Sequence, residues 1–167
     1  MIEVQAYAGV PPEYVPVYGF VKLNGSVVWE GSWGGNKPNV RGVSTLVIDA
    51  FDCALREYRH YDTHDSEDAA STALSDYLQQ LDNGRVIAAV TGDEPTRQLA
   101  SAVSTLLQLG AEVSDVQYRG SFGFVAQKGY PSKTVLRKVL TGEDSKTQQP
   151  HFTVVVRGRP TRCCQHN

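Results

Sequence analysis

Tyr118-Arg119-Gly120-Ser121-Phe122-Gly123-Phe124-Val125-Ala126-Gln127-Lys128-Gly129 closes the stretch, residues 41–129, whose order decides the fold. That stretch opens on Arg41-Gly42 and runs through apolar residues to Val47-Ile48-Asp49. Tyr61-Asp62-Thr63 follows, then a helical pattern and an apolar run ending Thr91-Gly92-Asp93-Glu94. A second helical pattern closes at Leu109-Gly110 and leads into the quoted strand. The order places an acidic pair at a strand's C-terminal end and an arginine on a nearby strand.

Within this stretch, residues 43–49 read as a mainly apolar strand, broken only by Ser44, Thr45 and the closing Asp49, as expected when both faces are covered. Residues 54–60 alternate more openly and predict a further strand. Ala70, Ala73, Leu74, Tyr77, Leu78 and Leu81 recur at helical spacing, so one face of a helix is buried. Asp65 is placed to cap that helix, with Glu67 and Asp68 suiting its positive end, and Asn83-Gly84 stops it. Residues 85–90 predict a buried strand. Asp93-Glu94-Pro95 is expected to open a second helix, with Leu99, Val103, Leu106 and Leu107 on its core face and Gly110 at its end. Residues 113–118 and 122–127 predict two more strands.

Outward from the centre, residues 4–7 read as an edge strand, and Pro11, Pro12 and Pro16 force an extended loop. Alternating residues on either side of Asn24-Gly25 give a strong hairpin signal. Asn24-Gly25-Ser26 also matches a glycosylation sequon, and the turn is the preferred reading. Residues 31–39 form a Gly-, Asn- and Pro-rich loop with Trp33 at its centre. Residues 132–140 suggest a short helix and residues 152–156 a last strand. The fold class is α/β: a mixed β-sheet sandwich with two main covering helices. The strand-helix-strand-helix-strand middle predicts parallel neighbours.

The chain has 167 residues, which suits one domain, residues 1–167, with a cysteine-containing C-terminal tail. Hydrophobic residues at 41% and charged residues at 20% are ordinary for a globular protein and argue against disorder. A net charge of −2 offers no electrostatic case for nucleic acid. No apolar run approaches the ~20 residues of a membrane helix, and no leader peptide is visible at the N-terminus. The three cysteines are Cys53, Cys163 and Cys164. Vicinal Cys163 and Cys164 cannot easily bond each other. One is therefore expected to tie the tail to Cys53 and the other to pair with a second copy; three free thiols in a reducing cell are the competing reading.

The ordered set Arg41-Gly42, Val47-Ile48-Asp49, Tyr61-Asp62-Thr63, Thr91-Gly92-Asp93, Leu109-Gly110, Tyr118-Arg119 and Lys128-Gly129 resembles the interleukin-like EMT inducer and PANDER family of secreted domains. The likeness covers roughly residues 18–130. Gly120-Ser121-Phe122 replaces the family's usual Asp-Asn/Ser-Trp, and the family's extra disulfides are missing. The family includes cytokine-like proteins and the carbohydrate-binding stem domain of a protein O-mannose N-acetylglucosaminyltransferase. By that resemblance, sugar-holding roles fall on Arg41, Asp93 and Arg119. Stand-alone chains of this size also look similar to small cnidarian galactose-binding lectins, which use calcium and form dimers.

The chemistry is compatible with that implication. An arginine donates paired hydrogen bonds to vicinal hydroxyls, and a carboxylate accepts from them. Asp93 and Glu94 sit just after a strand, where open α/β sheets present ligand groups. With oxygens of Asn36, Asn39 or Gln127 the two acids could hold Ca²⁺; the competing reading is that they only cap the second helix. Trp33 could stack on a sugar or be buried. Asp62, Asp65, Glu67 and Asp68 lack EF-hand spacing and read as a helix cap. No nucleophile elbow or dinucleotide loop is present, so the expectation is a binding protein and not an enzyme. The expected function is a secreted, Ca²⁺-dependent lectin. It would bind terminal galactosides and cross-link glycans as a disulfide-linked homodimer, with no nucleic-acid partner. The alternatives are a cytokine-like domain that binds a receptor and no sugar, and a hydrolase.

Overall fold

The computed structural model describes residues 1–8, 17–33, 36–65 and 68–156. In chain order the elements are strands β1 (Ile2–Gln5), β2 (Val17–Leu23), β3 (Ser26–Trp33), β4 (Gly42–Ile48) and β5 (Leu55–Tyr61), helix α1 (Ala69–Gln80), strand β6 (Val86–Gly92), helix α2 (Ala100–Gln108), and strands β7 (Ser121–Gln127), β8 (Val135–Val139) and β9 (His151–Val154). They form a four-stranded sheet, β3-β2-β1-β9, and a five-stranded sheet, β5-β4-β6-β7-β8. The two sheets pack face to face, and both helices cover the outer face of the larger one. This is the mixed α/β sandwich the sequence predicts.

The pattern of the central strand explains the layering. Along β6, Ala88 and Val90 face the smaller sheet, where they meet Val4, Val21, Leu46 and Val125. Ile87 and Ala89 face the helices, where they meet Leu74, Leu78, Leu106 and Phe124. Every residue of β4 and of β6 is buried, so neither strand needs a polar face. Each of the valines, leucines, isoleucine and phenylalanine here stabilises the fold by roughly 1.5–3 kcal/mol when fully buried, and the alanines by less.

The β2–β3 hairpin turns at Asn24 and Gly25, with φ of 49° and 85°. Positive φ at both positions is the primed turn that Asn-Gly favours. A Cβ on Gly25 would meet nothing within 4 Å. Gly25→Ala is therefore expected to cost only backbone strain, about 1 kcal/mol, readable as a small shift of the urea midpoint.

Several local expectations are corrected. β1 is not an edge strand; it pairs antiparallel with β2 on one side and with β9 on the other. The covering strand lies almost a whole chain length away, so no local pattern signals it. The middle strands are antiparallel, not parallel. β6 leaves the sheet at Gly92 and β7 re-enters beside it, because α2 carries the chain only about 14 Å across the face before residues 109–120 bring it back. α2 also starts later than Asp93-Glu94-Pro95 suggests: Asp93 has φ 53°, which no helix residue can adopt.

Residues 113–118 contain no strand. Val113 and Val116, three apart, point into the same helix-side core, and the Val116 N–H donates to the Val113 carbonyl, so this is a turn. Residues 135–139 form a strand and not a helix. Val135 packs against the inter-sheet core and Leu136 against the helix-side core, which is the period of two that pairing with β7 imposes. Asp65 does not cap α1. Asp68 occupies that position without a side-chain capping bond, and its carboxylate accepts instead from Ser101 Oγ at 2.5 Å, tying α1 to α2. Among the described residues no helix is long and apolar enough to cross a membrane.

Candidate functional site

Antiparallel pairing gathers four loops at one end of the larger sheet. β4 begins there at Gly42, opposite Gly92 at the end of β6, and β5 ends there with Tyr61 opposite Val43. β7 begins there at Ser121. Thr91 locks β6 to it, its hydroxyl donating to the Phe122 carbonyl at 3.0 Å and accepting from the Phe122 N–H at 2.9 Å. Thr63 ties the loop after β5 to the loop after β6, donating to the Pro95 carbonyl at 2.6 Å. Gly42, Gly92 and Gly120 sit where a Cβ would collide with a carbonyl oxygen of the neighbouring segment. These loops therefore pack closer together than side chains would permit.

At the centre stands Asp93. One oxygen accepts from Asn39 Nδ2 at 3.1 Å, and the other faces Arg119 Nη1 at 3.6 Å. Tyr7 sets the orientation of the Asn39 amide: its hydroxyl lies 3.3 Å from Asn39 Oδ1 and accepts from the Val40 N–H at 3.0 Å. Burial pushes the Tyr7 phenol up to about 12, so it stays neutral and keeps its proton for these bonds. Asn39 Oδ1 is thereby the acceptor toward Tyr7, and its NH₂ is left for Asp93.

Arg119 has φ 59°, and its backbone N–H donates to Glu94 Oε2 at 2.9 Å. The other Glu94 oxygen accepts from the N–H and the hydroxyl of Thr96, both at 2.6 Å. Glu94 is only 1% exposed. It is thus a buried brace that fixes the arginine's backbone, not a group that reaches a ligand. The Arg119 guanidinium makes a different impression on the site. Its Nη1 is buried and makes no hydrogen bond, although Asp93 lies close.

Arg41 joins a neighbouring cluster. Its Nε and Nη2 straddle the Asp62 carboxylate at 3.1 and 2.7 Å, and Nη2 also contacts Asp65. Burial works against the Asp62 carboxylate, but the Arg41 bonds and the His64 N–H outweigh it and hold its pKa below the usual range. Asp65 is held low first by His64 and then by Arg41. Of the acids read from sequence as a cap, Asp62 and Asp65 are the counter-charges of Arg41, Asp68 bonds Ser101, and Glu67 lies outside the described residues.

The structure thus brings Asn39, Asp93, Glu94 and Arg119 together and seats Arg41 beside them. Trp33 packs against the inter-sheet core, and Asn36 is exposed in its loop. Gln127 lies at the far end of β7, where its amide donates to the Gly84 carbonyl. Tyr7 and Thr96 have no signal in the sequence, because their roles come from contacts with distant segments. Tyr118 is announced only by preceding Arg119.

Calcium fits this donor set poorly. Asp93 already faces an amide NH₂ and a guanidinium, and the oxygens of Glu94 are taken by N–H and O–H donors. Among the described residues no group of three or more His, Cys, Asp or Glu could hold a metal ion. Cys53 is disulfide-bonded, and Cys163 and Cys164 lie outside the described residues.

Comparison with known proteins places this geometry in context. Residues 41–130 match the family model described as interleukin-like EMT inducer. The chain is similar to the cell surface hyaluronidase of Danio rerio, 28% identical over 123 residues, which are 68% of this chain and 9% of that protein. It is similar to the cell surface hyaluronidase CEMIP2 of Homo sapiens, 30% identical over 106 residues, 62% of this chain and 8% of that protein. It also resembles the cell migration-inducing and hyaluronan-binding protein of Mus musculus, 31% identical over 113 residues, covering 66% and 8%. The chain therefore spans less than a tenth of the length of these curated relatives. The matched window contains β4 to β7, both helices, and the Asp93–Arg119 pair with its Glu94 brace. The chain belongs to the interleukin-like EMT inducer family.

Proposed function

We propose that this protein is a carbohydrate-binding domain whose ligand lies across Asp93 and Arg119. The observation that carries the reading is a carboxylate beside a guanidinium nitrogen that makes no hydrogen bond, 3.6 Å apart at the end of a rigid sheet. A vicinal diol complements such a pair: one hydroxyl donates to the carboxylate and its neighbour accepts from the guanidinium. A terminal galactose-type sugar is the ligand of first choice. Relatives named for hyaluronidase activity and hyaluronan binding support the carbohydrate class. Their cell-surface names support an extracellular location. A second copy, linked through the cysteine that Cys53 does not use, would convert a weak site into an avid one.

The reading is of binding, not turnover. Glycoside hydrolysis takes two opposed carboxylates, and Glu94 is committed to backbone donors instead of facing Asp93. Calcium stays an expectation of the resemblance and of the acid pair's residue types, and no step here depends on it.

Asp93→Asn tests the site. Asparagine tolerates positive φ, so the backbone and the melting temperature should hold. Sugar affinity should fall at least about tenfold, because the charged acceptor is lost. Calorimetric titration of both proteins with galactose, N-acetylglucosamine and hyaluronan oligosaccharide, in calcium and then in EDTA, reads the result. Full affinity in the variant refutes the site. Heat abolished by EDTA restores calcium to it. No heat with any sugar favours a receptor-binding domain.

A further inference from the structure

The turn that carries Arg119 displays a second side chain. The Gly120 N–H donates to the Gln117 carbonyl at 2.8 Å and the Gln117 N–H to the Leu140 carbonyl at 2.8 Å, while Glu94 holds the Arg119 N–H. Tyr118 and Arg119 are the two central residues of this locked turn. Tyr118 belongs to neither core cluster and is 57% exposed. The Arg119 guanidinium lies over one face of its ring, 5.4 Å from the centroid, and the Nη1 of that guanidinium lies 3.6 Å from Asp93. A carboxylate acceptor, a partly exposed guanidinium and an exposed aromatic ring are therefore adjacent.

We propose that Tyr118 is the apolar platform of the site, and that it selects pyranoses presenting an unbroken C–H face beside a vicinal hydroxyl pair. The proposal rests on the carbohydrate reading above and deepens it. Ring oxygens and hydroxyls polarise the C–H bonds of a pyranose, and the negative face of a phenol ring attracts them. An axial 4-hydroxyl places the hydrogens of C3, C4 and C5 on one face, as in galactose. An equatorial 4-hydroxyl divides them between faces, as in glucose. The platform reads that difference, and the Asp93–Arg119 pair reads the hydroxyls. The turn beneath the ring is closed by backbone bonds at both ends, so no backbone ordering opposes stacking, and only the side-chain torsions of Tyr118 remain to be set.

The test uses the full chain with galactose and glucose as probes, read by calorimetry and saturation-transfer NMR. Wild type should bind galactose at least about tenfold more tightly than glucose, with strongest saturation at H3, H4 and H5. Tyr118→Ala should weaken galactose binding about tenfold and erase that saturation pattern, while Tyr118→Phe retains both. Asp93→Asn should lose binding regardless of residue 118. Galactose binding unchanged in Tyr118→Ala, with Asp93→Asn inactive, overturns the platform and leaves the carbohydrate reading standing. Saturation centred on protons other than H3, H4 and H5 in wild type overturns it without any variant. No binding of either sugar by wild type overturns both.

Discussion

Gly42→Ala is expected to cost roughly 3–4 kcal/mol, a large fraction of the stability of an ordinary domain. Two effects add. The φ of Gly42 is 103°, a conformation L residues rarely adopt. A Cβ there would also lie 2.2 Å from the Tyr61 carbonyl oxygen and 2.8 Å from the Thr63 nitrogen. Both obstacles are backbone, and Gly42 cannot retreat because it is paired with Gly92 on its other side. Gly25→Ala carries a related strain with nothing to strike, so the difference between the two variants isolates the collision. Urea denaturation reads it. Equal midpoints for the two variants would refute the close approach of these loops, and with it the route by which Arg41 and Asp62 meet.

Glu94→Ala is expected to remove about 2–4 kcal/mol of stability and most of the sugar affinity together. Its carboxylate satisfies the N–H of Arg119 and both donors of Thr96 from a position water hardly reaches. Deleting it strands these donors, each at a cost of about 1–3 kcal/mol where it stays buried. It also frees the backbone of Arg119 from its positive φ. Glu94→Gln separates the two consequences. A glutamine keeps one acceptor for Thr96 and turns an NH₂ toward the Arg119 N–H, donor against donor. Stability should fall less than in the alanine variant, and binding should fall nearly as far. Wild-type affinity in Glu94→Gln would show that the brace does not position the arginine.

The central strands are legible in the sequence because β4 and β6 are covered on both faces, which leaves mainly apolar runs broken only by small polar residues, Ser44, Thr45 and Thr91. The pairing directions were not. Residues 93–120 look like a crossover in any local window, and only the path of residues 109–120 back across the sheet shows that β6 and β7 run opposite ways. The same limit applies to β1, whose second neighbour is β9. At the site, Asp93 and Arg119 stand out by residue type and position. Their supports do not: Tyr7 and Asn39 act from segments far away in the chain, and Glu94 looks identical to a ligand until its oxygens are seen to face N–H groups. The Arg41 partners do not show in the sequence because Asp65 precedes a helix, and a carboxylate in that position predicts a cap unless a nearby guanidinium claims it first.

The position of β1 between β2 and β9 has a consequence for how such a domain is built into larger proteins. Ile2 stands opposite Val154, so β1 and β9 place the two ends of the described sandwich side by side at one corner. A host polypeptide can detour through this fold and resume its course almost where it left, without rerouting its own strands. The unit behaves as a side loop with its own core. Grafting it between two adjacent residues of an unrelated scaffold should leave both partners folded, with the Asp93–Arg119 end of the larger sheet carried along intact.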